Sequence, residues 1–404
     1  PLKGGYPMTQ RAIIENYAQA IQIVKEMDIG YHEWQGGDWK EEGRRAVKQV
    51  IEDRMVAYLE RQFLEISNQG IYDRRNGYYS RHLLTGLGDI ELDVPRTRTF
   101  SAISVLKAYA RRSPDIDQMI LGCFVLGLST RKVGEALLSV LGERISPSTV
   151  SIVAKTLDKA VEAFHRRRLA DKYKAIILDG VVLTKKTGVG AIKKIVLVAL
   201  GIRHDLKKEV IDFYIAGSES EAEWERFLTN LYKRGLLGEG ADVLCVDGGK
   251  GLLAALKTVY PDIPIQRCWA HKMRNIINKV KKKDTEEVKK DLRRIYRAKD
   301  ERKARSSARV FADKWERIYP KAVLCLRKDI DDLLTFFRFK EEPVRKAVRT
   351  TNAIERRFRE VRRRTRPMGV FSDRTSMERI LYAVFTYENK KEGTNTPFLL
   401  TQNN

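Results

Sequence analysis

Asp179 interrupts an apolar run, Ala175 to Leu183, between Leu178 and Gly180. A carboxylate placed there costs on the order of several kcal/mol unless it is paired, ligates a metal or faces a polar cavity. Asp247 closes another apolar run, Asp242 to Val246, and is followed by Gly248-Gly249-Lys250-Gly251. In sheets covered by helices, ligands gather at strand ends. Two carboxylates on neighbouring strand ends make a hard-oxygen site suited to Mg²⁺ or Mn²⁺ and unsuited to Zn²⁺. Either Asp alone also reads as a cap for the helix that follows; the pair in one sheet is what points to chemistry. Holding two divalent ions at a phosphodiester needs a third acid. Glu355 is the candidate, in the first turn of a helix that Thr351 or Asn352 can cap. Acids favour that position for dipole reasons alone. Glu355 is set apart by Arg356, Arg357, Arg359, Arg362, Arg363, Arg364 and Arg366 on the same helix. Such a face is often merely solvated, but beside an acid it suits a phosphate backbone.

Other motifs carry less. The Gly248–Gly251 segment lacks the spacing of a phosphate-binding loop, because a glycine follows Lys250, so nucleotide hydrolysis is excluded. Its better use is close approach of a DNA strand or a metal beside Asp247. Cys268-Trp269-Ala270-His271 has the look of half a zinc site, yet no second Cys/His pair at ligand spacing appears. A buried Cys268 and a helix-start His271 aimed at the acids, flanked by Arg267, Lys272 and Arg274, fits better. Trp269 reads equally as core or as a platform for a base.

The elements needed to position these groups follow from periodicity. Apolar runs at 175–183, 195–202, 210–215, 242–246 and 263–269 read as strands. An amphipathic helix spans 220–234 with Trp224, Phe227, Leu228 and Leu231 inward, and a second helix spans 252–259. The order β-β-β-α-β-α-β describes an α+β mixed sheet whose first strands are joined as hairpins. Residues 270–340 are wholly helical, and 350–366 form one more basic helix ended by Pro367. Ahead of the sheet, 8–66 reads as helices broken at Gly36-Gly37-Asp38. Asn76 to Arg98 is a small β hairpin with basic flanks. The stretch 114–165 contains two short helices joined near Gly142, the second opened by Ser146-Pro147-Ser148-Thr149-Val150. That pattern fits a helix-turn-helix or an ordinary helical hairpin. The overall balance favours the former: in 404 residues, 77 Lys and Arg face 53 Asp and Glu, a formal charge of +24. Such a field attracts polyanions, nucleic acid before membrane. No stretch is apolar enough to span a bilayer, and no signal pattern opens the chain. Four scattered cysteines suit a reduced cytosolic setting.

Taken in order, Asp179-Gly180, Val246-Asp247-Gly248, Arg267-Cys268-Trp269-Ala270-His271-Lys272 and Thr351-Asn352-Ala353-Ile354-Glu355-Arg356 resemble the Mutator-type transposases of bacterial insertion sequences. Arg75-Asn76-Gly77-Tyr78, Leu92-Asp93-Val94-Pro95-Arg96 and Ser146 to Val150 extend the likeness over nearly the whole chain, with Tyr79 a departure where relatives often carry a basic residue. The resemblance implies an RNase H-like mixed-sheet catalytic domain with an Asp179-Asp247-Glu355 triad, interrupted by an all-α insertion. N-terminal helical and helix-turn-helix DNA-binding domains would precede it. It implies two Mg²⁺ or Mn²⁺ ions on the triad, and Cys268 with His271 as a family motif. DNA contacts are expected from Arg267, His271, Lys272, Arg274, Arg356, Arg357, Arg359 and Arg363. The implied division is 1–70 helical, for dimerisation or DNA binding; 71–110 β-rich; 111–170 helix-turn-helix; 171–270 catalytic; 271–345 insertion; and 346–404 catalytic again. The activity implied is cutting and joining of double-stranded DNA at terminal inverted repeats, in some members through a circular intermediate. A homodimer in the bacterial cytoplasm, with no membrane role, would act on transposon ends and target DNA. The competing reading is a non-catalytic sequence-specific DNA-binding protein such as a repressor or domesticated relative; a general RNase H-like nuclease comes third.

Overall fold

The alternation of Ile90, Leu92 and Val94 with acidic neighbours produces the expected hairpin, and a helix covers its apolar face. The computed structural model describes residues 39–99, 101–106, 111–141, 144–187, 190–368 and 374–394. The first part of the 8–66 helical reading, the Gly36-Gly37-Asp38 turn and the Gly142 turn lie outside these residues. The chain divides into two compact units, one of residues up to Asp117 with Leu137–Arg144 and one of Gln118–Ala136 with Ile145 onward.

In the first unit, helix α1 (Trp39–Ser67) packs on strands β1 (Arg75–Thr85) and β2 (Gly88–Thr97). Met55 and Leu59 of the helix share one core with Leu83, Ile90, Leu92 and Val94 of the hairpin. The helical region and the β-rich module are therefore one body among the described residues. Next along the chain come α2 (Pro114–Val125) and α3 (Thr130–Leu141), each divided between the units, and then α4 (Pro147–Lys155) and α5 (Leu157–Arg166) of the second unit. Ser146 caps α4 by accepting the Thr149 amide at 3.1 Å, as its position before Pro147 leads one to expect.

The second unit is built on strands β3 (Tyr173–Thr187), β4 (Gly190–Arg203), β5 (Lys208–Ala216), β6 (Val243–Val246) and β7 (Ile265–Arg267). Their spatial order is β5-β4-β3-β6-β7, with β3, β4 and β5 antiparallel and β3, β6 and β7 parallel. Two helices, α6 (Glu221–Lys233) and α7 (Lys250–Val259), cover one face. Trp224, Phe227, Leu228 and Leu231 of α6 bury there against Ile176, Leu178, Leu244 and Val246. The period of two in β3 then turns Asp179 to the other face. After β7 comes the helical segment: α8 (Trp269–Ile277), α9 (Thr285–Tyr296), α10 (Glu301–Trp315), α11 (Pro320–Arg327), α12 (Ile330–Leu334) and α13 (Glu342–Val348). It has its own buried residues, Val288, Leu292, Phe311, Trp315 and Leu326 among them. It is pinned to the sheet where the Phe336 amide donates to Gln266 Oε1 of β7 at 2.7 Å and the Thr335 hydroxyl donates to the Ile265 carbonyl at 2.8 Å. The chain returns through α14 (Asn352–Met368), which runs slightly past Pro367, and α15 (Arg374–Lys391). Phe385 of α15 meets Phe213 of β5 and Phe358 of α14 with ring centroids 5.5 and 5.6 Å apart.

Candidate active site

Strand register brings the two aspartates together. Leu178 of β3 pairs with Val246 of β6, and each is followed by an Asp, 179 and 247. Parallel neighbours lie roughly 4.8 Å apart, so both carboxylates leave the sheet side by side at its carboxyl edge. Asp179 is 4% exposed. Asp247 is half-buried, and its Oδ1 accepts the Gly249 amide at 2.9 Å. Glu355, in the first turn of α14, completes the group. It shares a cavity of about 890 Å³ with Asp179, His271, Arg359, Arg362 and Arg363. Burial, followed by the charge of Asp247, pushes the Asp179 carboxyl up to about 7, and Glu355 acts in the same direction. Thr351 and His271 oppose that shift.

His271 stands over the acids with Nε2 3.9 Å from Glu355 Oε1, and Arg274 approaches the same oxygen at 3.8 Å. The hydrogen bond with Cys268 raises the imidazole to about 9 against the effect of burial, helped by Asp179 and Asp247. Burial disfavours the Cys268 thiolate, yet hydrogen bonds involving His271 and Thr351 hold the thiol below its ordinary range. Thr351 is fully buried just ahead of α14, and its hydroxyl turns toward Cys268 Sγ and His271 Nδ1 at 3.6 and 3.4 Å.

The expected cationic residues divide into two sets. Arg356, Arg359 and Arg363 are exposed on α14, and Arg274 is 60% exposed beside Glu355. Arg267, Lys272 and Arg357 are turned inward. Lys272 is 5% exposed and pairs with Asp329, which also meets Arg267 at 3.4 Å. Arg357 bonds Glu388 of α15 and Glu392 just past its end at 3.2 and 2.9 Å. A helix-start lysine reads as exposed in sequence because its acidic partner lies far along the chain. The glycines after Asp247 also serve the protein itself. Gly248, at φ +95°, lies so close to the Arg267 guanidinium that a Cβ would stand 2.0 Å from it. A Cβ on Gly251 would stand 2.6 Å from the Glu219 carbonyl. Both approaches come from protein groups, in place of the DNA strand or metal expected there.

Sequence reasoning passed over Glu219. Its carboxylate lies against Gly180, where a Cβ would come within 2.3 Å of Oε1, and burial followed by the Asp247 charge raises it. The residue is otherwise exposed on its loop, so only the unexplained Gly180 in an apolar strand signals it.

Asp179, Asp247 and Glu355 are all-oxygen donors whose mutual repulsion a hard divalent cation would relieve, so their chemistry fits Mg²⁺ or Mn²⁺. Among the described residues, no three His, Cys, Asp or Glu side chains already close into a metal cage. Cys268 and His271 likewise belong to no such group among the described residues.

A five-stranded mixed sheet, an aspartate within β3 beside another just past the end of β6, contrary to the expectation of two strand ends, and an acid returning on a later, arginine-rich helix define an α+β protein with a carboxylate-lined cleft. Comparison with known sequences gives the class its name. The chain matches the profile described as "Transposase, Mutator family" over residues 18–392, and it belongs to that family. It is 30% identical over 349 residues to the transposase for insertion sequence element IS905 of Lactococcus lactis subsp. lactis, covering 86% of this chain and 88% of that one. The transposase for ISRM5 of Rhizobium meliloti is 30% identical over 356 residues, covering 86% and 88%. The transposase for IS256 in transposon Tn4001 of Staphylococcus aureus is 31% identical over 341 residues, covering 83% and 86%. Among the described residues, no helix is long and apolar enough to cross a membrane.

Proposed function

We propose that this chain binds the terminal inverted repeats of an insertion sequence and cuts and joins DNA strands there, using divalent ions held by Asp179, Asp247 and Glu355. The observation that carries this reading is the register of β3 on β6, which sets two aspartates side by side in reach of Glu355's charge. The sheet order, with three antiparallel strands followed by two parallel ones, is compatible with an RNase H-like domain, in which α8 to α13 would form the insertion. When bound, a pair of such ions supplies an activated water or 3′-hydroxyl and stabilises the leaving oxygen. Asp179 and Asp247 would hold the ions from the sheet, and Glu355 would hold them from α14. Arg359, Arg362 and Arg363 line the same cleft and would seat the phosphate backbone, while Arg274 and Arg356 extend the basic surface. Helices α3 and α4 would read the repeat as a helix-turn-helix, with base edges contacted from the second helix. An element has two ends, so two copies of the chain would act together, in the bacterial cytoplasm where target DNA lies.

The test is incubation with labelled element ends and Mg²⁺, followed by mapping of cut and joined strands. The expected result is cleavage at the repeat boundary and joined products. Binding without metal-dependent cleavage would leave a non-catalytic DNA-binding protein. Cleavage of unrelated duplexes without joining would leave a general nuclease.

A further inference from the structure

We infer that Cys268 is a positioning residue whose sulfur clips the start of α14, and with it Glu355, to the end of β6, where Asp247 lies beside Asp179 of β3; this rests on the proposed three-acid site. Three segments meet at this one residue. Its N–H donates to the Val246 carbonyl at 2.7 Å, directly before Asp247. Its Sγ accepts the Thr351 N–H at 3.3 Å, four residues before Glu355. Thr351's hydroxyl faces the same sulfur at 3.6 Å. Next door, the Trp269 amide donates to the Arg349 carbonyl at 3.1 Å, a second stitch between the same two segments.

The thiol is needed because of where the amide lies. The first amides of a helix and those just before it lack intrahelical acceptors. Thr351 is fully buried, so water does not supply one. Cys268, 1% exposed, fills that place with a large, weakly polar acceptor that also packs well in an apolar surrounding. Glu355 sits about one helical turn beyond Thr351, so loosening this amide lets the carboxylate swing relative to the aspartates. His271 braces the same corner, with Nδ1 3.4 Å from the Thr351 hydroxyl and Nε2 3.9 Å from Glu355 Oε1.

The test compares Cys268→Ala, Cys268→Val, Cys268→Ser and Glu355→Gln by hydrogen exchange of the 349–358 peptide and by strand cleavage at varied Mg²⁺ and DNA. Cys268→Ala is expected to speed exchange at Thr351 and the first turn of α14. It should lower turnover by about 100-fold, the scale of a reacting group displaced by roughly 1 Å, with half-saturating DNA unchanged and half-saturating Mg²⁺ raised. Cys268→Ser keeps an acceptor and recovers most of both losses. If the alanine variant does not fold, Cys268→Val, which leaves no cavity and has no side-chain acceptor, carries the same expectation. Wild-type exchange at Thr351 in the alanine or valine variant, or equal loss of turnover in the serine and acceptor-free variants, overturns the inference. Glu355→Gln keeps wild-type exchange and loses cleavage. Full cleavage by Glu355→Gln would sink the three-acid reading while leaving the exchange result standing.

Discussion

Two aspartates are buried on the same sheet to almost the same degree, Asp212 on β5 at 2% exposure and Asp179 on β3 at 4%. Their surroundings are opposite. Asp212 takes the His165 ring nitrogen at 2.7 Å, the Phe213 amide at 2.7 Å and the Arg234 guanidinium. Burial works against its charge, but His165 and Arg234 together hold its carboxyl below the ordinary range. Asp179 faces Asp247 and Glu355, and its carboxyl rises to about 7 through burial and their charges. A buried acid with a full set of donors is a strut that ties α5 and α6 to the sheet. A buried acid among other acids is, on the proposed function, a site that a cation would complete.

Breaking each aspartate should separate these roles. The largest effect is on chemistry. Asp179→Asn, Asp247→Asn or Glu355→Gln should each slow strand cleavage by about a thousandfold or more, because a metal site supplies several kcal/mol of barrier lowering. Gel-shift affinity for the element's end should hold. Asp212→Ala should leave the Arg234 guanidinium and the His165 ring facing an empty buried position and cost about 3–5 kcal/mol of stability, read from denaturant midpoints, with the folded fraction still cutting DNA.

The comparison sharpens with pH. Asp179's folded pKa lies above its unfolded value of 3.8, so the native state binds the extra proton. Its unfavourable contribution is absent below about pH 4 and grows until about pH 7. Metal-free Asp179→Asn should therefore match wild type in unfolding free energy near pH 4 and exceed it at pH 8, by an amount on the order of a few kcal/mol. Added Mg²⁺ should raise the wild-type melting point at pH 8 and leave the variant's unmoved. The smallest effect concerns the arginines. Reversing charge at exposed Arg356, Arg359 and Arg363 together should flatten the slope of log affinity against log salt by roughly 2–3, measured by fluorescence anisotropy. Arg357→Glu, which breaks the pairs with Glu388 and Glu392, should lower stability instead.

The sheet was legible because its strands are apolar runs and its covering helix shows a clear 3.6 period, with Trp224, Phe227, Leu228 and Leu231 buried as read. Asp179 was legible as a charge in such a run. Glu355 stands 108 positions after Asp247 by residue number, and no local pattern joins them; the order of motifs along the chain did. What stayed hidden depends on distant partners. Lys272 and Arg267 read as surface cations because Asp329, which draws both inward, belongs to a different helix-flanking loop. The acids' fourth neighbour, Glu219, hides for the same reason: its loop meets Gly180 and Gly251 only after folding. Thr351 reads as a helix cap, whereas its hydroxyl faces Cys268, a contact across 83 positions.

The most direct test is anomalous diffraction from crystals of the chain bound to its terminal duplex in Mn²⁺. Two peaks about 3.5–4 Å apart, touched by the carboxylates of Asp179, Asp247 and Glu355, are the predicted result. Manganese bound elsewhere, or no manganese between these three side chains while DNA occupies the cleft, would contradict the account.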